Sequence, residues 1–137
     1  MTQSLAAIAF LAPDYDSAIA WFRDALGFIL LADTPMEPGK RWIVVAPPGE
    51  AGARIVIAEA RGERQRAAIG EAAGGRVGYF LETDDFARDH AAMQARGVQF
   101  LEAPRHEPYA IVAVLADPWG GKWDLLQPTL AAVEAAP

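Results

Sequence analysis

No cysteine occurs in the chain. That excludes disulfides, thiolate zinc sites and cysteine nucleophiles, and it suits a reducing compartment such as the cytoplasm. Basic residues are outnumbered: 12 Lys and Arg against 18 Asp and Glu leave a net charge of −6. An acidic chain without a basic stripe repels phosphate backbones, so no nucleic-acid partner is expected. No apolar run approaches the roughly 18 residues of a membrane span, so no membrane partner is expected either. The apolar stretch at residues 5–13 lacks a basic lead and runs directly into a helix signal. It reads as a strand, not a signal peptide, and the protein as soluble and cytoplasmic. A glycine-rich phosphate loop after a strand, a Gly-x-Ser-x-Gly elbow and an ordered Ser/His/Asp set are also missing.

Apolar material is plentiful, at 53% of 137 residues. This suffices for one domain, or for two small modules sharing a core. Residues 5–12 read as a buried strand ending at Pro13-Asp14. The cluster Asp14-Tyr15-Asp16-Ser17 then supplies N-cap chemistry. Tyr15, Ile19, Phe22 and Leu26 recur three or four apart on one helix face, and Gly27 stops the helix. Strands follow at 28–31, 42–46 and 54–58, with a polar Pro/Gly loop at 33–40 and a turn at Pro47-Pro48-Gly49. Residues 61–75 are charged and Ala-rich and close on two glycines, which marks a connector with room for a short helix.

The pattern then recurs. Residues 76–83 read as a strand, Asp84-Asp85 caps a helix running to Arg96, and Gly97 ends it. Strands are expected at 98–101, 111–116 and 122–127, with a polar loop at 102–109 and a turn at 117–121. A shift of 70 residues lays Asp14 on Asp84, Gly27 on Gly97 and Pro48 on Pro118. Cap, helix stop and late turn coincide at one offset, which points to an internal duplication. Neither half could cover its own apolar sheet face, so the two should join. The expected fold is α+β: two βαβββ modules forming a curved mixed eight-stranded sheet around a cup, helices outside. Module one is 4–60, the connector 61–75, module two 76–127 and the tail 128–137.

These motifs resemble the vicinal-oxygen-chelate superfamily, which includes glyoxalase I, bleomycin-resistance proteins and extradiol dioxygenases. The resemblance rests on residues 14–22 (DYDSAIAWF) and Leu26-Gly27-Phe28 in the first half. In the second half it rests on Asp84-Asp85, on 97–100 (GVQF) and on 117–125 (DPWGGKWDL). It covers about residues 4–127 and implies the fold more firmly than the function, because the superfamily supports several chemistries.

The resemblance also implies where a metal would be held. Metal-using relatives carry a His on the first strand, where this chain has Ala7, and often another on the first strand of the second half, where it has Gly78. Their carboxylate on the last strand corresponds to Asp124. A fourth ligand, often Glu, falls at Val56, with Glu59 the only carboxylate nearby. A transition metal commonly needs about three protein ligands. The expectation is therefore no metal and no cofactor; the alternative is a divalent ion such as Zn, Ni, Mn or Fe.

Candidate site residues follow from chemistry and position. Asp124 alternates with Trp123 and Leu125, so it shares a face with Lys122 and Leu126. Inside a cup it would act as a hydrogen-bond anchor or general base; at the mouth it would be a solvated or paired carboxylate. The 102–109 loop gathers His106, Glu107 and Tyr109, either as ligand contacts or as a solvated loop. Arg41 and Trp42 open a strand as a possible anion partner and flat wall, or else as a strand end and a core residue. Phe80 and Gly78 should face the cup, with Tyr79 outward and Gly78 leaving space for a bulkier ligand. His90 falls on the packing stripe of the second helix and is expected to be hydrogen-bonded at the helix–sheet boundary.

The first functional expectation is a metal-independent protein of bleomycin-resistance type that binds a small apolar or aromatic molecule in the cup. Ala7, Ala9, Leu11, Gly78 and Phe80 would form its apolar wall. The alternative is a glyoxalase-like lyase, isomerase or dioxygenase, using a metal held by Asp124, Glu59 and His106 or acid–base chemistry by Asp124. A third is an interaction module whose cup is filled by its own side chains. The resemblance further implies a homodimer.

Overall fold

In a computed structural model that describes residues 1–49 and 51–130, Asp14 caps the first helix as its side chain predicts. Its carboxylate accepts from the Ser17 amide at 2.7 Å and the Ser17 hydroxyl at 2.9 Å. The helix α1 (Tyr15–Ala20) widens into a π-helical turn (Trp21–Ala25) and stops at Gly27, whose φ of +79° is readily available to glycine. The chain forms two compact units, Met1–Ile69 and Gly70–Pro137.

The first unit holds β1 (Ala7–Ala12), β2 (Ile29–Pro35), β3 (Arg41–Ala46) and β4 (Arg54–Glu59) in the order β1-β4-β3-β2. β1 and β4 are parallel, and the other pairs are antiparallel. The helical face lies against this sheet. Phe22 is fully buried, edge-on to Phe10 at 5.0 Å and tilted against Phe28 at 5.4 Å, with Ile43, Val45 and Ile57 also in this core. Strand β2 runs to Pro35, well into the residues expected to form a loop. Cross-strand charge extends it: Arg41 bonds Asp33 at 2.7 Å and Asp16 of α1 at 2.9 Å. A short exposed helix, α2 (Gly62–Ala68), follows β4.

The second unit repeats the plan with β5 (Val77–Glu82), α3 (Phe86–Ala95), β6 (Gln99–Phe100), β7 (Arg105–His106), β8 (Ala110–Ala116) and β9 (Lys122–Pro128). Its order is β5-β9-β8-β6, with β7 also paired to β8. Again the first strand lies parallel to the last and the rest are antiparallel. The α+β class and the two βαβββ modules thus stand. The strands, however, form a four-stranded and a five-stranded sheet instead of one sheet of eight. The extra strand is β7, within residues expected to be loop. It pairs Arg105 with Val112 and His106 with Ile111.

His90 is not the hydrogen-bonded boundary residue expected. Its ring lies against Phe86 at 5.2 Å and Phe100 at 4.3 Å, and its buried Nε2 has no hydrogen-bond partner among the described residues. Among the described residues no helix is long and apolar enough to cross a membrane.

Candidate functional site

The turn at 117–121 fixes where β9 begins. Asp117, 4% exposed, accepts from the amides of Trp119 and Gly121, each at 2.9 Å, and from the Trp123 indole at 3.1 Å. Strand β9 then alternates. Trp123 and Leu125 are buried on the face that meets α3, and Gln127 on that face accepts from the first helical amide, Phe86, at 2.8 Å. Lys122, Asp124 and Leu126 project to the opposite face.

A bulge aligns β5 with this pattern. Val77 stands opposite Lys122 and Tyr79 opposite Trp123, which leaves Gly78 unopposed. Tyr79 therefore stacks on Trp123 at 4.3 Å, and Phe80 falls opposite Asp124 on the other face. Phe80 is 67% exposed. Gly78 is exposed, and a Cβ there would stand 3.1 Å from the Cβ of Ala73, so the connector narrows the space on that side.

Asp124 is flanked by Phe80 on β5 and Val114 on β8. Its Oδ1 is buried and has no hydrogen-bond partner among the described residues. Burial pushes its pKa up from 3.8; the Arg105 charge pulls it down and Glu102 pushes it up further. Arg105 is clamped by Glu102 at 2.9 Å and Glu107 at 3.0 Å, and these two carboxylates, with the Tyr109 hydroxyl contributing, raise its already high pKa. Glu102 has a second task. Residues 101–104 outnumber their two counterparts on β8, and the Glu102 carboxylate accepts from the Val114 amide at 3.1 Å where a backbone carbonyl would otherwise sit. The break between β6 and β7 is thereby closed, and Arg105 is held within electrostatic reach of Asp124.

Beside this cluster lies an open cavity of about 500 Å³, lined by Phe80, Leu101 and Val114 with Glu102, Arg76 and Lys122 at its polar edges. A concave apolar surface with a few polar groups is the usual form of a small-molecule site. The structure therefore brings Asp124, Phe80, Glu107 and Tyr109 into one region of the second unit. His106, paired with Ile111, alternates to the face opposite Arg105. In the first unit, Trp42 is 46% exposed, and Arg41 is occupied by Asp33 and Asp16 toward the helix. Glu102, Arg105, Leu101, Val114, Arg76 and Lys122 were not picked out from the sequence as site residues. The signal available was Pro104, which interrupts a strand-like run and so places charged residues at a break.

The donor set does not fit a metal. Asp124 is flanked by two hydrocarbon side chains, Phe80 and Val114, and feels the charges of Arg105 and Glu102. Glu102 and Glu107 are already engaged by Arg105. In the first unit, Ala7 and Val56 offer no donor, and Glu59 stands opposite Ala12 at the end of β4. Among the described residues no three His, Asp or Glu side chains are grouped to hold an ion.

Comparisons with known proteins place these observations. Residues 4–125 match the model of the Glyoxalase/Bleomycin resistance protein/Dioxygenase superfamily. An uncharacterized protein of Shewanella frigidimarina (strain NCIMB 400) is 46% identical over 128 residues, 93% of this chain and 95% of that one. The solved structure of TnmS3, an antibiotic binding protein from Streptomyces sp. CB03234, is 29% identical. It has a TM-score of 0.75 over 94% of this chain and 98% of its own. A glyoxalase/bleomycin resistance protein from the same Streptomyces strain is 31% identical, with a TM-score of 0.69 over 90% of this chain and 100% of its own.

Proposed function

Because the chain belongs to the Glyoxalase/Bleomycin resistance protein/Dioxygenase superfamily, we propose that it binds a small apolar or aromatic organic molecule, without a metal, on the Asp124 face of its second sheet. One observation carries this reading: a buried carboxylate oxygen without a hydrogen-bond partner among the described residues stands beside an aromatic ring that is 67% exposed. An unsatisfied buried acceptor costs stability unless something donates to it. An exposed Phe next to it gives an apolar ligand its contact area. The solved structure of an antibiotic binding protein at 29% identity supports the same kind of activity. The protein would work in the cytoplasm as a homodimer. The absence of cysteine and the exposed apolar side chains Ile29, Leu31 and Met36 support this.

Asp124→Asn tests the reading. With a neutral aromatic that carries a hydroxyl, such as 2-naphthol, affinity should fall about tenfold, since a charge-assisted hydrogen bond becomes a neutral one. Stability should move the other way. The folded pKa lies above the unfolded 3.8, so the ionised form is disfavoured on folding, and stability rises as pH falls through the folded value toward 3.8. Near pH 7 the Asn variant should therefore melt slightly higher than the parent, by a solvent-screened contribution of about 0.5 kcal/mol. Binding of the naphthol should weaken over the same acidic window in the parent and stay flat in the variant. Equal affinities for parent and variant would defeat the assignment. So would stoichiometric Zn, Ni, Mn or Fe that is lost on Asp124→Ala. The raised pKa of Asp124 favours a second reading, in which it is the acid or base of a glyoxalase-like lyase, isomerase or dioxygenase. Turnover of a bound compound, abolished in the Asn variant, would establish that reading instead.

A further inference from the structure

Two cations share the edge of the same cavity. Arg76 and Lys122 both line it, and both are exposed. Neither forms an ion pair with any described residue, whereas Arg105 is matched by two carboxylates. Their positions follow from the sheet. Val77 stands opposite Lys122, and Arg76 immediately precedes Val77, so the two charges sit at the same ends of neighbouring parallel strands. Lys122 and Asp124 are two residues apart on one face of β9, which separates their Cα atoms by about 7 Å. Phe80, Leu101 and Val114 line the cavity with Arg76 and Lys122, and Phe80 and Val114 flank Asp124, whose Oδ1 is buried and has no partner among the described residues. A cationic end and an apolar floor thus adjoin a buried acceptor.

Resting on the reading above, we infer that the ligand is an aromatic acid that also bears a hydrogen-bond donor. Its anionic group meets Arg76 and Lys122, its ring lies on Phe80, Leu101 and Val114, and its donor meets Asp124. A neutral hydrocarbon would leave both polar ends unused. A cationic aromatic would meet two uncompensated positive charges at the edge. Glu102 does not reverse that balance, because its carboxylate is held by Arg105 and the Val114 amide. The acid is recognised by a pair of surface charges, so the gain is modest and salt-sensitive, while the ring supplies most of the contact.

Isothermal titration of the full chain with four bicyclic probes decides this: 6-hydroxy-2-naphthoate, 2-naphthoate, 2-naphthol and 2-naphthylmethylamine. The hydroxy acid should bind about tenfold tighter than 2-naphthol, and the amine should bind weakest. The double variant Arg76→Ala/Lys122→Ala should lose that tenfold advantage while its affinity for 2-naphthol stays within twofold. High salt should erase the same difference in the parent. Equal affinity for the hydroxy acid and 2-naphthol would overturn this inference and leave the binding function standing. So would tighter binding of the amine, or an equal loss of both probes in the double variant. No binding of any of the four at millimolar concentration would overturn both.

Discussion

Gly70→Ala should lower the melting temperature by on the order of 10 °C, for a loss of about 3 kcal/mol. Two independent costs combine. Gly70 has φ of +75°, where an L side chain is strained. A Cβ there would also stand 2.0 Å from the Trp119 carbonyl oxygen, 3.0 Å from its carbon and 3.4 Å from the Gly121 amide nitrogen. All three are backbone atoms, so no flexible side-chain end can swing aside. Either the connector lifts or the 117–121 turn yields. Gly74→Ala separates the two costs. Its φ is +64°, yet nothing lies within 4 Å of the added Cβ, so only the backbone strain of about 1 kcal/mol should appear. Melting curves for the two variants that coincide would show that the contact with Trp119 is unimportant. The effect reaches the site, because the connector continues to Gly75 and Arg76 on the cavity wall.

That connector marks the limit of what the sequence discloses. Helix punctuation was legible because it is local: Asp14, Gly27, Asp85 and Gly97 each act within a few residues of themselves. The repeat was legible because the same punctuation recurs at one offset. The site was only half legible, because its residues are placed by register. The 70-residue offset lays Phe10 on Phe80, yet Phe10 is 4% exposed and Phe80 is 67%. The bulge at Gly78 gives the second module its own register against its partner strand, and the first module has no counterpart along β1 and β4. Nothing in local composition distinguishes a bulged glycine from an inward-facing one. Similarly, Glu102 and Arg105 read as loop charges until the break between β6 and β7 is seen. Then one of them completes a strand ladder and the other fixes the field at Asp124.

Asp117→Ala should be more damaging still, at about 4 kcal/mol, because it strands three donors at once. The amides of Trp119 and Gly121 and the indole of Trp123 all converge on this one carboxylate, and Gly121 and Trp123 are themselves buried. Any water entering the space the carboxylate vacates would have to accept from all three donors at once and give up bulk solvent to do so. Asn is the informative variant. Its carbonyl oxygen can still serve the two amides, but its amide nitrogen then faces the Trp123 N–H, donor against donor. A loss of about 2 kcal/mol is expected, roughly half that of alanine. A second readout does not depend on stability. Tyr79 has its pKa raised above 10, first by burial and then by the Asp117 charge. Removing that charge should therefore bring the tyrosine titration down, as followed by phenolate absorbance. Because a Cβ on Gly70 would press on the Trp119 carbonyl and on the Gly121 amide that Asp117 binds, the double variant Gly70→Ala/Asp117→Asn should lose less than the sum of its parts. Strict additivity would mean that the connector and the turn are held independently. An Asn variant melting within a degree of the parent would mean that backbone bonds alone, such as the Asp117 amide to the Gly121 carbonyl at 2.9 Å, suffice to start β9 in register.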